Sequence, residues 1–300
     1  MSVGAARPDI RSPDAPRPAR PPRVVAIDLD GTLVDHEQRL HPRTRAAVLE
    51  AAGSAAIVLA TGRMYRSVLP WARLLGVHAP LICYQGAVVR AVPDEGAPLV
   101  DGVPQGRVLA EDPVDPPSGL IALRVARAGN WYVQAYHDDI LYCEQDRPEA
   151  RLYSRIAGVD FTLLDDLGPI MERGSTKVVC VVVDPDDAQR CEDTQRAALG
   201  ATARVVRSQQ EFVEITSPRA GKGRGLRVVC DSLGVSLDRV VAIGDAPNDV
   251  DMLEAAGFAV CVRTSRPEVL AASDAVCAPP EEAGVADVLE ALGLVPAGSS

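Results

Sequence analysis

An apolar segment that ends in two aspartates constrains this chain more than any other feature. Residues 24–27 read Val-Val-Ala-Ile, and Asp28, Asp30 and Gly31 follow within the next four positions. A short run rich in β-branched residues predicts a buried strand. Asp28 and Asp30 are two residues apart, so in extended chain both side chains point to the same side. A capped turn would explain this pattern, and a divalent cation with acid chemistry is the functional alternative, because a buried carboxylate needs a cationic partner.

Length, composition and charge exclude several classes of protein. The 300 residues allow one large domain or two of ordinary size, and 47% hydrophobic with 24% charged residues is typical of soluble globular chains. A net charge of −10 argues against a nucleic-acid partner, which requires a basic face. The sequence has no apolar run of about 18 residues, so we expect no membrane partner.

The N-terminal segment and the cysteines suggest where the chain works. Residues 1–22 contain six prolines and four arginines, without the apolar stretch of a secretory signal, and predict a flexible tail. The seven cysteines include no C-x-x-C pair, so zinc and dithiol chemistry lack support. Free thiols in apolar segments favour a reducing cytoplasm. We expect a monomer or homodimer there.

Strands and helices alternate at both ends of the chain, which predicts an α/β fold with a parallel sheet covered on both faces. The predicted strands are 24–28, 55–60, 80–84, 240–243 and 259–262, and the predicted helices are 42–53, 67–75, 222–233, 248–256 and 266–272. The middle of the chain has a mixed pattern that favours an inserted α+β domain. The predicted organisation is therefore a tail (1–22), a core domain (23–88 and 212–300) and an insert (89–211).

Four polar motifs follow predicted core strands or open a helix, and such positions meet at the carboxyl edge of a parallel sheet. They are Asp28-x-Asp30-Gly31-Thr32, Thr61-Gly62-Arg63, Gly221-Lys222-Gly223 and Gly244-Asp245-Ala-Pro-Asn248-Asp249. The third motif lacks the Gly-x₄-Gly-Lys-Ser/Thr pattern of a nucleotide-binding loop. We therefore expect one pocket built from segments that are far apart in the sequence.

The residue types in these motifs predict phosphoryl transfer. Asp28, Asp245 and a nearby carbonyl are the hard oxygen ligands that suit Mg²⁺. The Thr61 hydroxyl, with neighbouring backbone N–H groups, and the Lys222 ammonium can hold a phosphate. An aspartate beside the metal can attack phosphorus, and Asp30 can protonate the departing alkoxide and later deprotonate water.

These motifs, with Tyr84-Gln85-Gly86-Ala87 after the third strand, resemble the haloacid dehalogenase (HAD) superfamily. The closer resemblance is to Cof-type phosphatases of subfamily IIB, and it runs from about residue 23 to 292. It implies a Rossmann-like core with an inserted C2-type cap that closes over the site. It also implies roles for the matching residues: Asp28 as nucleophile; Asp30 as general acid and base; Thr61, Gly62, Lys222 and Asn248 as phosphate contacts; and Asp28, Asp30 (through its carbonyl), Asp245 and Asp249 as the metal-binding set.

Two positions depart from the family pattern, and both bear on substrate preference. Gln85 stands where the family usually has Asn, and Arg263-Thr264 stands where an Asn-Ala pair is common. Among the smaller features, Lys177 is expected to be structural, and residues 211–215 are expected to form a strand that returns to the core without a chemical role. Arg63 is either a solvated helix residue or a contact to substrate or cap.

The sequence thus predicts a Mg²⁺-dependent phosphatase that hydrolyses small phosphorylated metabolites, similar to sugar phosphates, through an aspartyl-phosphate. A phosphotransferase or phosphomutase of the same superfamily is one alternative. A non-catalytic metabolite-binding protein on the same fold is the other, because a fold does not fix a function.

Overall fold

The computed structural model describes residues 7–296, apart from the side chains of residues 208 and 209. An eight-stranded sheet forms the core domain, with strand order β16-β15-β14-β1-β2-β3-β4-β7. The strands from β16 to β3 are parallel, and β4 and β7 add an antiparallel edge. Their bounds are β1 Val24–Asp28, β2 Ala56–Ala60, β3 Leu81–Cys83, β4 Val88–Arg90, β7 Val108–Glu111, β14 Val240–Gly244, β15 Phe258–Val262 and β16 Ala275–Cys277.

Helices cover both faces of the core sheet, and they are α1 Pro42–Ala51, α2 Tyr65–Leu74, α7 Lys222–Leu233, α8 Val250–Ala255, α9 Pro267–Ala271 and α10 Gly284–Ala291. Alternate residues of β1 enter two separate hydrophobic clusters. Val25 and Ile27 pack with α1, α2 and α10, whereas Val24 and Ala26 pack with α7 and α8. A strand buried on both faces is the expected property of a doubly covered parallel sheet, so the predicted α/β class is confirmed.

The inserted domain, here called the cap, is built on a second sheet of six strands with order β10-β9-β8-β11-β13-β12. The strands are β8 Tyr132–His137, β9 Ile140–Cys143, β10 Phe161–Leu163, β11 Val178–Val181, β12 Arg204–Gln209 and β13 Phe212–Thr216. The cap helices are α3 Pro116–Ala128, α4 Pro148–Ala157, α5 Gly168–Arg173 and α6 Pro185–Leu199, and a hairpin of β5 Leu99–Val100 and β6 Val103–Pro104 precedes them.

The two faces of the cap sheet have different neighbours. Val133 and Val213 belong to the face that packs against α3, α5 and α6. Tyr136, Val179 and Phe212 belong to the opposite face, which packs against α4 and joins the hydrophobic cluster of the core domain. The face that carries Tyr136, Val179 and Phe212 therefore lies towards the carboxyl edge of the core sheet.

Sheet membership corrects both predicted borders of the insert. β4 and β7 lie in the core sheet, so the cap begins after β7 rather than at residue 89. β13 pairs with β11 and β12, so residues 212–216 belong to the cap and are not a return strand of the core. The sequence could not separate these cases, because an edge strand of either sheet has the same alternating pattern.

Part of the N-terminal segment is docked on the core, contrary to the expected flexible tail over residues 1–22. The backbone N–H of Ile10 donates to the Val276 carbonyl at 2.8 Å, and the Val276 N–H donates to the Pro8 carbonyl at 2.9 Å. The Ile10 side chain is completely buried. One isoleucine among prolines and arginines has no periodicity, so this contact could not be predicted from the residue pattern. Residues 1–6 lie outside the described residues.

Replacing Ile10 by Ala should lower the free energy of unfolding by about 2 kcal/mol or more, because it leaves a cavity under the docked segment. The change is measured as a shift of the urea midpoint. Val183→Ala is the control, since Val183 is 60% exposed and should change little. An unchanged midpoint for Ile10→Ala would contradict the docking of this segment.

Candidate active site

Asp28 lies at the carboxyl end of the central strand of the core sheet. β1 is flanked by β14 and β2, and all three strands run parallel. The loops that carry Asp245 and Thr61 therefore begin beside the loop that carries Asp30. The Asp28 side chain is almost fully buried, so its charge depends on nearby protein groups.

Lys222 supplies the nearest positive charge. It is the first residue of α7 and is 1% exposed. Its ammonium donates to the Asp28 carboxylate and, at 2.6 Å, to Oδ1 of Asp249. Burial alone would lower the pKa of Lys222, but the charges of Asp249 and Asp28 outweigh it and raise that pKa. Lys222 therefore stays protonated in the buried site.

Asp249 holds the loop that follows β14. Its Oδ2 accepts hydrogen bonds from the backbone N–H groups of Asp245 and Ala246, at 3.1 and 3.0 Å. Because its Oδ1 is bonded to Lys222, both oxygens of Asp249 have partners. The Thr32 hydroxyl, from the loop after β1, donates to Oδ1 of Asp245 at 2.8 Å. These contacts position Asp245 beside Asp28.

Asp28, Asp245 and Asp249 form a cluster that fits a divalent cation. One oxygen of each lies within 4.8 Å of the others. Burial raises the pKa of Asp28 well above its usual range, and Lys222 only partly opposes the shift. Burial and the charge of Asp249 raise the pKa of Asp245 to about 6. Lys222 therefore does not fully compensate the three carboxylates, and carboxylate oxygens are among the donors that Mg²⁺ prefers.

The Asp30 carboxylate is held by Arg63 and lines the same cavity as Asp28. The Arg63 guanidinium donates to both carboxylate oxygens of Asp30, through Nε at 2.8 Å and through a terminal nitrogen. Arg63 is 9% exposed, so it is not a solvated helix residue. Its backbone N–H donates to the Thr61 hydroxyl at 3.1 Å. The motif Thr61-Gly62-Arg63 therefore orients the second aspartate and ties it to the loop after β2.

The departure at Gln85 has a structural consequence. Gln85 adopts a left-handed conformation, with φ of 58°, in the turn after β3. Its side-chain oxygen accepts from Nδ2 of Asn248 at 2.8 Å and so joins two loops of the site. A Cβ at Gly62 would lie 2.5 Å from the Gln85 amide nitrogen. Glycine at position 62 therefore leaves space for the longer side chain.

A cavity of about 100 Å³ lies between this edge of the core and the cap. From the core it is lined by four predicted site residues: Asp28, Asp30, Gly62 and Asn248. The other predicted residues lie around it. Thr61, Lys222 and Asp249 are buried, and Asp245 lines an adjoining cavity of about 360 Å³ that also contacts Asn248 and Thr264.

The cap contributes residues that the sequence analysis missed. Lys177 and Glu214 line the cavity, with Tyr153 and Phe212 beside them. The expectation that residues 211–215 form a strand of the core is wrong, because β13 pairs within the cap sheet. Lys177 lies at the start of a cap strand, as expected, and in addition lines the cavity. Lysine usage is the clue that could have found Lys177. The chain has two lysines among its 31 basic residues, and both are buried around this cavity.

Comparison with known proteins identifies the family. Residues 25–289 match the haloacid dehalogenase-like hydrolases. The chain belongs to this family. HMP-PP phosphatase of Enterobacter sp. (strain 638) is 28% identical over 253 residues, which cover 83% of this chain and 87% of that protein.

Solved structures agree with the family assignment. The crystal structure of TM0651 from Thermotoga maritima matches with a TM-score of 0.77 and 28% identity, over 89% of this chain and 96% of that one. The HAD subclass IIB sugar phosphatase BT4131 matches with a TM-score of 0.76 over 91% of this chain and 100% of that one, and at 18% identity this likeness concerns the fold. The prediction of a phosphomonoesterase of the HAD family is confirmed, and the chain has the same fold as this subclass IIB structure.

Two further expectations concerned free thiols and membrane-spanning segments. All seven cysteines are buried and unpaired. Among the described residues, no helix has both the length and the apolar character needed to cross a membrane.

Gly31→Ala should disturb the carboxylate cluster, because Gly31 has φ of 91° and a Cβ there would lie 2.6 Å from Oδ2 of Asp245. We expect kcat/KM for phosphate release to fall by about tenfold to a hundredfold through misplacement of the loop. Gly96→Ala is the matched control: its φ is 79°, but a Cβ there would have no atom within 4 Å. Equal losses in both variants would refute a specific role for the space beside Asp245.

Proposed function

We propose that this protein is a Mg²⁺-dependent phosphatase that hydrolyses small phosphorylated metabolites through an aspartyl-phosphate on Asp28. The observation that carries the proposal is the convergence of Asp28, Asp30 and Lys222 at a cavity closed by the cap. The named relatives support a small substrate, since one is an HMP-PP phosphatase and one structural neighbour is a sugar phosphatase. Reduced cysteines are in keeping with the cytoplasm as its place of work.

In the proposed first step, a carboxylate oxygen of Asp28 attacks phosphorus as the bond from phosphorus to the ester oxygen breaks. Asp30 gives its proton to the departing oxygen, so the leaving group departs as a neutral alcohol. Arg63 contacts both oxygens of Asp30 and holds this residue beside the cavity. The backbone of Gly62, the Thr61 hydroxyl and Lys222 would bind the phosphate oxygens.

In the second step, Asp30 takes a proton from water, and the water oxygen attacks phosphorus. The bond between phosphorus and the Asp28 oxygen breaks, which releases inorganic phosphate and restores both aspartates. The cap limits access of bulk water to the cavity.

The metal would be held by Asp28 and Asp245, with the Asp30 carbonyl as a third protein ligand. When bound it would supply positive charge beside the transferred phosphoryl group. Because both carboxylate oxygens of Asp249 have partners, we assign Asp249 the role of positioning Lys222 and the loop of Asp245. Asn248 would contact phosphate or a metal-bound water.

Asp28→Asn should lower phosphate release by at least about a thousandfold, because an amide cannot act as the nucleophile. The measurement is release of inorganic phosphate from a panel of phosphorylated metabolites, with Mg²⁺ and with a chelator. Asp160→Asn makes the same chemical change at an exposed position of the cap and should leave the rate unchanged.

The same assay separates the alternatives. Formation of an isomeric phosphate ester without free phosphate would favour a mutase. Binding of a phosphorylated metabolite by the folded protein, without turnover of any ester, would favour a non-catalytic binding protein.

A further inference from the structure

The face of the cap sheet that looks into the catalytic cavity carries a buried ion pair. Glu214 lies in β13 opposite Val179 of β11, and Lys177 immediately precedes β11. Glu214 is 4% exposed and Lys177 is 1% exposed, and Nζ of Lys177 lies 3.2 Å from Oε1 of Glu214. The rest of this face is mainly apolar and aromatic, with the amide of Gln134 beside the pair. Burying two charged groups there costs desolvation free energy, which their mutual attraction offsets only in part.

The Lys177 ammonium has fixed surroundings. It donates to the backbone carbonyl of Gly62 at 3.2 Å, which links the cap directly to the phosphate loop of the core. The rings of Tyr136, Tyr153 and Tyr84 surround it, with centroids 5.2, 5.9 and 6.0 Å from Nζ. Lys177 therefore holds Glu214 and the closed cap in place.

The site around residue 177 suits the side chain of lysine better than that of arginine. The chain uses arginine for all but two of its 31 basic residues, and the two lysines are Lys177 and Lys222. An ammonium is compact and directs its N–H groups to several acceptors, whereas a guanidinium is a wide planar fork. A site enclosed by three aromatic rings and a backbone carbonyl suits the smaller group.

Building on the proposed phosphatase function, we propose that Lys177 and Glu214 select the leaving group, and that Glu214 binds its hydroxyl groups. A carboxylate has about four acceptor positions, so Glu214 can accept from substrate hydroxyls while it is bonded to Lys177. Tyr153 and Phe212, which line the same cavity, pack against the carbon skeleton. The substrate class is a monophosphate of a sugar or polyol.

The same arrangement disfavours a second anionic group on the leaving group. A carboxylate or another phosphate placed beside Glu214 would face a like charge in a buried site, and Lys177 is already engaged by Glu214 and Gly62. Glu214 therefore acts in two ways, by attraction of hydroxyl groups and by repulsion of anions.

The test uses three esters with six-carbon leaving groups. Hexyl phosphate has no hydroxyl group, whereas sorbitol 6-phosphate has a hydroxyl on each carbon that does not carry the phosphate. Gluconate 6-phosphate has a carboxylate in place of the terminal hydroxymethyl group of sorbitol 6-phosphate. The measured quantities are kcat and KM for each ester with the full chain and Mg²⁺. We expect the unmodified protein to prefer sorbitol 6-phosphate over both others.

Glu214→Gln should lower the ratio of kcat/KM for sorbitol 6-phosphate to that for hexyl phosphate by about tenfold to a hundredfold, chiefly through KM, because charge-assisted hydrogen bonds are lost. It should also raise the relative kcat/KM for gluconate 6-phosphate. Glu214→Asp keeps the charge and should keep the discrimination against gluconate 6-phosphate. Glu211→Gln, three residues away and outside the cavity lining, is the matched control and should change neither ratio.

Two results would overturn this assignment while leaving the phosphatase function intact. One is an equal loss for all three esters in Glu214→Gln, which indicates a general structural role. The other is unchanged ratios in that variant. Failure of the unmodified protein to release phosphate from any ester of the metabolite panel would instead remove the proposed function and this inference together. If Glu214→Gln does not fold, as judged by circular dichroism, the ratios measured for Glu214→Asp and the unmodified protein decide, and equal preference for hexyl and sorbitol phosphates refutes the proposal.

Discussion

The buried ammonium of Lys222 joins the parts of the catalytic edge. It bonds the Asp28 carboxylate at the end of β1 and the Asp249 carboxylate in the loop after β14, while its own backbone opens α7. Burial raises the pKa of Asp28, and the charge of Lys222 opposes that shift. With Lys222 in place, Asp249 has a free oxygen for the backbone of the Asp245 loop. One ion therefore fixes the positions of the proposed nucleophile, a loop and a candidate metal ligand.

The cap adds a second lysine with a similar physical role at the opposite side of the cavity. Lys177 bonds a carboxylate of its own sheet and a carbonyl of the core. The core side of the site, where we propose that the phosphate binds, is thus rich in charge, whereas the cap side combines one ion pair with Tyr153 and Phe212. This division matches a reaction whose chemistry takes place on the phosphate and whose selectivity depends on the rest of the molecule.

The core side of the site could be predicted because its residues follow buried strands directly. Strand polarity places Asp28, Thr61 and Asp245 at one edge whatever the length of chain between them. The cap side could not be predicted in this way. Glu214 lies in the middle of an antiparallel strand, and its importance depends on which sheet that strand joins and which face looks towards the core. Local alternation of polarity is the same in both cases.

The sequence by itself determined the fold class, the family and the polar motifs that meet at one edge of the core sheet, because these depend on short patterns whose geometry is local. The tertiary structure decided the borders of the cap, the docking of Ile10, the clamp of Arg63 on Asp30 and the placement of Lys177 and Glu214 at the cavity. All of these are contacts between segments far apart in the chain. They arise from the pairing of sheet edges and the packing of faces, which no single segment encodes.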